Sequence, residues 1–267
     1  MSNPTVSFFP AHDGVRLAYR ELGEGRPLLL LHGALGDSTL WLRDERAATI
    51  AAHGHHVILP DFRGHGSSDK PHDAAAYPSD VLTDDALALL DHLGLAGADY
   101  DLGGYSLGAR IVVRMLVRGA TPRRAVVGGQ GLRQVEGFGG GVARMLRRIV
   151  SATEPFEPGS ADERTAQWLE SGGMDTVALL HALDSLAATP AAELGRVQVP
   201  TLVVMGSEDE RAESVDELVV ALPRATKVMV PGDHGRAVAE PAFLAALLDF
   251  LDVGDSDGDG DGSERER

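Results

Sequence analysis

The stretch GGYSLGARIVVRML, residues 103–116, decides how the rest of this chain is read. It sets Ser106 between Gly104 and Gly108, after a short apolar segment and before a strongly apolar run. Two readings fit it. Ser106 is a nucleophile presented on a tight strand-to-helix turn, or the turn is a glycine-rich connection that happens to contain a serine. The pattern G-x-S-x-G arises by chance in roughly one chain in five of this composition, so the neighbouring segments must decide.

Upstream and downstream of that turn, apolar β-rich segments alternate with longer helical patterns. Val6–Phe9 and Val15–Glu21 read as strands joined by the turn-like AHDG. RPLLLLHG (26–33) is a continuous apolar run ending in glycine, as expected of a strand buried on both faces. A helix is expected from about Thr39 to Ala52, then a strand and turn in HHVILPDFRGHG (55–66). Ser79–Leu93 reads as a helix capped by Ser79 and followed by Gly94. DYDLGG (99–104) is a short strand leading into the opening stretch, and RRAVVGG (123–129), PTLVVMG (200–206) and ATKVMVPG (225–232) are three more. An apolar helix from about Pro241 to Leu251 closes the pattern.

This alternation predicts an α/β fold with a mostly parallel, doubly wound sheet. Residues 133–196 break it, being helical throughout with no convincing strand. They read as a small helical cap inserted into a core formed by 1–132 and 197–251. Residues 252–267 read as an acidic disordered tail. Within it, DSDGDGDGSERE (255–266) matches a calcium-loop pattern letter for letter. Its eighth position is Gly262 and only Arg267 follows, so the flanking helix such a loop needs is missing.

Composition narrows the function classes. The chain has 267 residues, enough for one large domain, and a formal net charge of −16. Such an acidic balance argues against nucleic acid or an anionic membrane as partner. No apolar run approaches the length of a membrane span. There is no cysteine, hence no disulfide or thiolate site, and MSNPTVSFFPAHDG lacks the basic and apolar regions of a signal peptide. A cytoplasmic location is expected.

Open parallel sheets bind ligands beyond the carboxyl ends of their strands. Those ends carry His32, Gly33 and Ala34 after PLLLL, Ser106 after YDLGG, Asp209 after TLVVMG, and His234 after KVMVPG. A serine, an acid and a histidine at three strand ends of one sheet coincide by accident far less often than a pentapeptide. Together LHGALG (31–36), DFRGHGSS (61–68), GYSLGA (104–109), GSED (206–209) and GDH (232–234) resemble the α/β-hydrolase family over about residues 14–251.

The resemblance implies a catalytic triad of Ser106, His234 and Asp209, in that family's chain order of serine, acid, histidine. The earlier strand end, GGQGL (128–132), offers no carboxylate in place of Asp209; Glu208 and Glu210 are its rivals. His234 would take the serine proton and Asp209 would orient the imidazole. Backbone N–H groups of Leu107 and Ala34 would form the oxyanion hole, with Leu35 an alternative to Ala34. The implied function is a serine esterase, cleaving a carboxylic ester or lactone through an acyl-enzyme on Ser106, with a small ester-like substrate and no cofactor or metal. C–C bond hydrolysis of ring-fission products, enol-lactone hydrolysis and cofactor-free perhydrolysis use the same triad. A non-catalytic small-molecule receptor on this fold is the alternative of another class. Acyl group, alcohol and oligomeric state are not encoded legibly.

Weaker signals read as structural. HGHH (53–56) lacks the further ligands of a hydrolytic zinc site and precedes a strand. His32, Arg63 and His65 read as turn architecture. Arg133, Arg144, Arg147 and Arg148 form a basic patch, read as a solvated face that could otherwise attract an anionic substrate. Leu132, Phe138, Met145, Leu146 and Trp168 either line an acyl pocket or form the inserted segment's own core.

Overall fold

A computed structural model describes residues 4–137 and 140–252. Eight strands form one sheet: β1 (Val6–Pro10), β2 (Arg16–Leu22), β3 (Arg26–Leu31), β4 (His55–Asp61), β5 (Asp101–Tyr105), β6 (Ala125–Gly128), β7 (Thr201–Gly206) and β8 (Ala225–Val230). Their order is β1-β2-β4-β3-β5-β6-β7-β8. β1 pairs with β2, and β2 with β4, antiparallel; every other pairing is parallel. The fold is therefore α/β with a mostly parallel sheet.

The helices are α1 (Thr39–Leu42), α2 (Arg46–Ala52), α3 (Val81–Leu93), α4 (Leu107–Val117), α5 (Leu132–Val135), α6 (Gly141–Val150), α7 (Ala161–Ser171), α8 (Thr176–Asp184), α9 (Ala191–Leu194), α10 (Val215–Ala221) and α11 (Pro241–Asp252). Two of them depart from the sequence reading. The helix expected over 39–52 is broken, because Asp44 and Glu45 take positive φ angles of 51° and 56° between α1 and α2. The third helix starts at Val81, and Asp80, not Ser79, stands before it. Asp80 accepts from Thr83 Oγ1 (2.7 Å) and from Arg114 Nε (2.8 Å), so its carboxylate ties α3 to α4.

Side chains alternate across each strand, which divides the apolar run of β3 between two layers. Leu29 and Leu31 pack with Leu82, Leu89, Val112 and Val113 of α3 and α4. Leu28 and Leu30 pack on the opposite face with Trp41, Ile50, Phe243 and Leu247. All four leucines are fully buried, which is why the run shows no polar alternation. Residues 132–194 hold five helices, with a separate cluster of Leu146, Leu169, Leu179 and Leu180. Among the described residues no helix is long and apolar enough to cross a membrane. The tail from residue 253, with its calcium-loop pattern, lies outside the described residues.

Chain order reverses at β3. The chain steps from β3 to β4 on one side, then crosses to β5 on the other. Such a switch point opens a crevice at the carboxyl ends of the two strands. Gly104 and Gly108 let α4 start hard against that crevice. A Cβ at Gly108 would stand 2.3 Å from Leu31 O, and one at Gly104 would stand 2.5 Å from the Gly108 carbonyl carbon. Both obstacles are backbone and cannot swing aside. Replacing Gly108 by Ala is therefore expected to destabilise the fold by about 3 kcal/mol, the upper end of overpacking costs, read as a lower urea midpoint.

Candidate active site

Ser106 follows the last residue of β5 and precedes the first residue of α4. Its backbone sits at φ 56°, ψ −114°, a conformation costly for a residue with a side chain. Three contacts hold it there. Ser106 N–H donates to Gly128 O (2.9 Å), Gly108 N–H donates to His32 O (2.9 Å), and Gln130 Nε2 donates to Ser106 O (2.6 Å). The turn projects the hydroxyl off the sheet's carboxyl edge.

His234 and Asp209 reach Ser106 from the loops after β8 and β7. His234 Nε2 lies 2.9 Å from Ser106 Oγ, and His234 Nδ1 lies 2.7 Å from Asp209 Oδ2. An ionised carboxylate only accepts, so Nδ1 carries the proton and Nε2 presents a lone pair to the serine. Burial alone would raise the Asp209 pKa. The His234 hydrogen bond, the Arg211 N–H on Oδ1 (3.0 Å) and nearby positive charge outweigh burial and hold it below the ordinary carboxylate value. Glu208 and Glu210 are exposed, while Asp209 is buried. Tyr105 braces the histidine: its ring stacks on the imidazole at 5.4 Å and its hydroxyl donates to His234 O (2.7 Å).

The loop after β3 passes beside the serine, with Gly33 placed so that a Cβ there would be 3.6 Å from Ser106 Cβ. Leu107 opens α4, so its N–H has no acceptor within the helix. Ala34 lies on the loop and lines the same cavity as Ser106 and Leu107. Two buried histidines fix this loop. His32 Nε2 accepts from Phe62 N–H (3.1 Å), which leaves Nδ1 to donate to Gly33 O (2.8 Å). His65 stands 3.0 Å from Ala34 O through Nε2. Arg63 anchors the next turn by paired bonds to Asp85 (3.0 and 2.8 Å).

A cavity of about 500 Å³ opens over Ser106, under the helical segment. Met145 lines it, with Val142, Leu183 and Leu186. Leu146 is instead in the segment's own cluster, Leu132 packs against the main core, and Trp168 is half exposed beside a different pocket. Phe138 lies outside the described residues. The basic patch is spread among partners. Arg147 bonds Asp184 (2.6 Å), Arg148 bonds Asp162 (2.7 Å), and Arg133 lies 3.8 Å from Glu213. None of these arginines lines the cavity over Ser106.

Two other arginines do. Arg211 Nη1 stands 2.7 Å from His234 Nε2, 3.3 Å from Ser106 Oγ and 3.3 Å from Gly129 O. Arg110, one turn into α4, donates to Ala187 O (3.0 Å). Sequence reading passed over both, together with Tyr105 and Gln130. Arg211 carried a usable signal, two positions after the acid on the same strand-end loop. Arg110 carried none, because its place depends on how the helical segment covers α4.

A family model described as alpha/beta hydrolase fold matches residues 26–128. The chain is 29% identical to a 2-hydroxymuconate semialdehyde hydrolase of Pseudomonas sp. (strain CF600), over 91% of this chain and 93% of that protein. It is 28% identical to a non-heme haloperoxidase of Rhodococcus erythropolis, over 92% of this chain and 100% of that one. Among solved structures, a hydrolase from Pseudomonas aeruginosa superposes with a TM-score of 0.74 at 23% identity, covering 92% of this chain and 98% of its own. The enol-lactonase from Burkholderia xenovorans LB400 gives 0.71 at 24%, covering 92% and 99%.

The loop histidines make the site acid-sensitive. Burial lowers both pKa values, that of His65 to about 4, so each is neutral in the fold. The unfolded chain takes up those protons near the ordinary value of about 6.5. Stability present above that pH is therefore lost as pH falls toward 4, by about 3 kcal/mol from His65 alone. Urea midpoints measured at about pH 7 and about pH 4.5 should show the loss, and His65→Gln, which cannot take up the proton, should show a shallower one.

Proposed function

We propose that this chain, which belongs to the α/β-hydrolase fold family and is an enzyme of it, is a serine hydrolase that cleaves a carboxylic ester or lactone through an acyl-enzyme on Ser106. The observation that carries this reading is the continuous chain of contacts Ser106 Oγ–His234 Nε2–His234 Nδ1–Asp209 Oδ2, at 2.9 and 2.7 Å, on a serine held at positive φ. A serine hydroxyl is a weak nucleophile until a base accepts its proton. Here the accepting nitrogen is aimed at it, and the carboxylate that selects the tautomer is buried behind the ring.

In this reading Ser106 Oγ attacks the carbonyl carbon as its proton passes to His234 Nε2. Negative charge gathers on the carbonyl oxygen, between the N–H groups of Leu107 and Ala34. Preorganised donors of this kind are each worth about 10² to 10³ in rate. His234 then protonates the leaving oxygen, and the acyl group stays on Ser106. Water then loses a proton to His234 as its oxygen attacks the acyl carbon, and His234 passes that proton to Ser106 Oγ as the acyl–oxygen bond breaks and the acid leaves. Asp209 remains ionised throughout, holding the imidazole and balancing its transient charge. No step draws on a cofactor. The helices of 133–196 act in this reading as a cap that shapes the acyl pocket.

A second reading is hydrolysis of a carbon–carbon bond in a ring-fission product. The relative named 2-hydroxymuconate semialdehyde hydrolase supports it, because the match extends over nearly the whole of both chains. The same triad would serve, with a carbon leaving group protonated in place of oxygen.

Ser106→Ala should lower kcat on a 4-nitrophenyl ester by about 10⁶, leaving the melting temperature close to wild type. Asp209→Asn should lower it by about 10⁴, because the amide favours the wrong imidazole tautomer. A fluorophosphonate probe should label Ser106 in the folded protein and not in the Ser106→Ala variant. Folded wild-type protein with an unlabelled Ser106 and no ester turnover would instead indicate a binding protein on this fold.

A further inference from the structure

Neither Arg110 nor Arg211 has a carboxylate within ion-pair distance of its guanidinium among the described residues, and each meets a backbone carbonyl, Ala187 O and Gly129 O respectively. Both line the cavity over Ser106. Burial lowers the pKa of each guanidinium, so both cations are poorly solvated. Arg110 Nε is buried without a hydrogen-bond partner among the described residues. Glu210 also lines the cavity, but it is exposed and makes no ion pair with either arginine. The nearest acidic charges, Asp209 and Glu210 for Arg211 and Asp80 for Arg110, offset burial only in part, so two half-buried cations beside Ser106 favour an anion entering the cavity.

The position of Arg211 adds a second constraint. An imidazole nitrogen has one lone pair, and His234 Nε2 faces both Ser106 Oγ at 2.9 Å and Arg211 Nη1 at 2.7 Å. The guanidinium therefore competes with the serine for the base that must take its proton. It also stands 3.3 Å from Ser106 Oγ, in the space a scissile carbonyl must approach. A carboxylate offers Arg211 two oxygens in the geometry of its planar fork, a stronger acceptor than neutral imidazole. Its arrival would draw Arg211 away and leave His234 Nε2 to Ser106 alone.

We propose that the preferred substrate is an ester or lactone bearing a carboxylate a few bonds from the scissile carbonyl, held by Arg211 with Arg110 beside it, and that Arg211 masks the His234–Ser106 pair until that carboxylate takes it over. This rests on the reading of Ser106 as the nucleophile. Arg211 is then a specificity-determining residue that lowers activity toward neutral esters and raises it toward acidic ones.

The test compares mono-4-nitrophenyl glutarate with 4-nitrophenyl methyl glutarate, its uncharged counterpart, both corrected for spontaneous hydrolysis. Wild type should favour the anionic ester in kcat/KM by about tenfold or more, the worth of a charge-assisted hydrogen bond. Arg211→Met should lose about 10- to 100-fold on the anionic ester and gain on the neutral one. Arg211→Lys should keep part of the preference, as a point charge without the fork. Circular dichroism establishes that the variants are folded. If Arg211→Met does not fold, Arg110→Met carries the test and should lose preference for the anionic ester. Equal wild-type rates on the two esters, or an equal loss on both in the folded variant, would overturn the proposal while Ser106-dependent hydrolysis still stands. Turnover of neither ester together with an unlabelled Ser106 would remove the hydrolase reading, and the proposal with it.

Discussion

Helix α4 starts so close to β3 that Gly108 N–H bonds His32 O, with no room for a Cβ between the two backbones. The rest of the site follows from that approach. With the helix pinned at its first turn, the chain between β5 and α4 has one residue in which to reverse, and Ser106 absorbs the strain at positive φ. The reversal lifts the serine side chain off the sheet edge and sets Leu107, whose N–H has no acceptor within the helix, on the cavity wall. It also brings the loop after β3 alongside, because β3 and β5 are neighbours in register, with Leu31 opposite Gly104.

A strained turn persists only where its surroundings hold it. Here they are unusually polar for an interior. His32, Asp61, Arg63, His65 and Asp85 are all buried around the loops at this end of the sheet. Asp61 shows how they are used: Oδ1 accepts from Ser38 N–H (2.8 Å) and Oδ2 from Ser67 N–H (2.8 Å), tying two loops to the end of β4. Loops carry the reactive groups, and a buried polar network gives those loops a single arrangement. Its cost is sensitivity to acid, since neutral buried histidines are the groups that protonation expels.

Charge is distributed unevenly. The chain is acidic overall and many of its arginines pair with carboxylates, while among the described residues Arg110 and Arg211 over Ser106 each reach a carbonyl oxygen and no carboxylate within ion-pair distance. The proposed base therefore sits between Asp209 on one ring nitrogen and a guanidinium on the other. Asp209 favours the tautomer that a serine needs, and Arg211 draws on the same lone pair. Which of the two governs depends on what occupies the cavity.

Much of this was legible in sequence, for local reasons. The LLLL of β3 announced a strand covered on both faces, and GGYSLG announced a turn that tolerates no bulk. Ser106, Asp209 and His234 stood out because each follows a strand, where a parallel sheet presents its ligands. The break between α1 and α2 was not legible, since no glycine or proline stands at Asp44 and Glu45 to announce it, and the anchoring of α3 by Asp80 was not, since Arg114 stands 34 residues further along the chain. The cavity arginines were hidden for the same reason. Composition showed many arginines, and the cluster in residues 133–148 drew the attention; three of those four are taken up by ion pairs with Glu213, Asp184 and Asp162. The sequence by itself determined the alternation of strand and helix and set Ser106, Asp209 and His234 at strand ends, because hydrophobic period and turn chemistry act over a few residues. Only the tertiary structure decided which arginines face the serine, because a side chain's electrostatic partners are set by packing between segments about a hundred residues apart, as between Arg211 and Ser106.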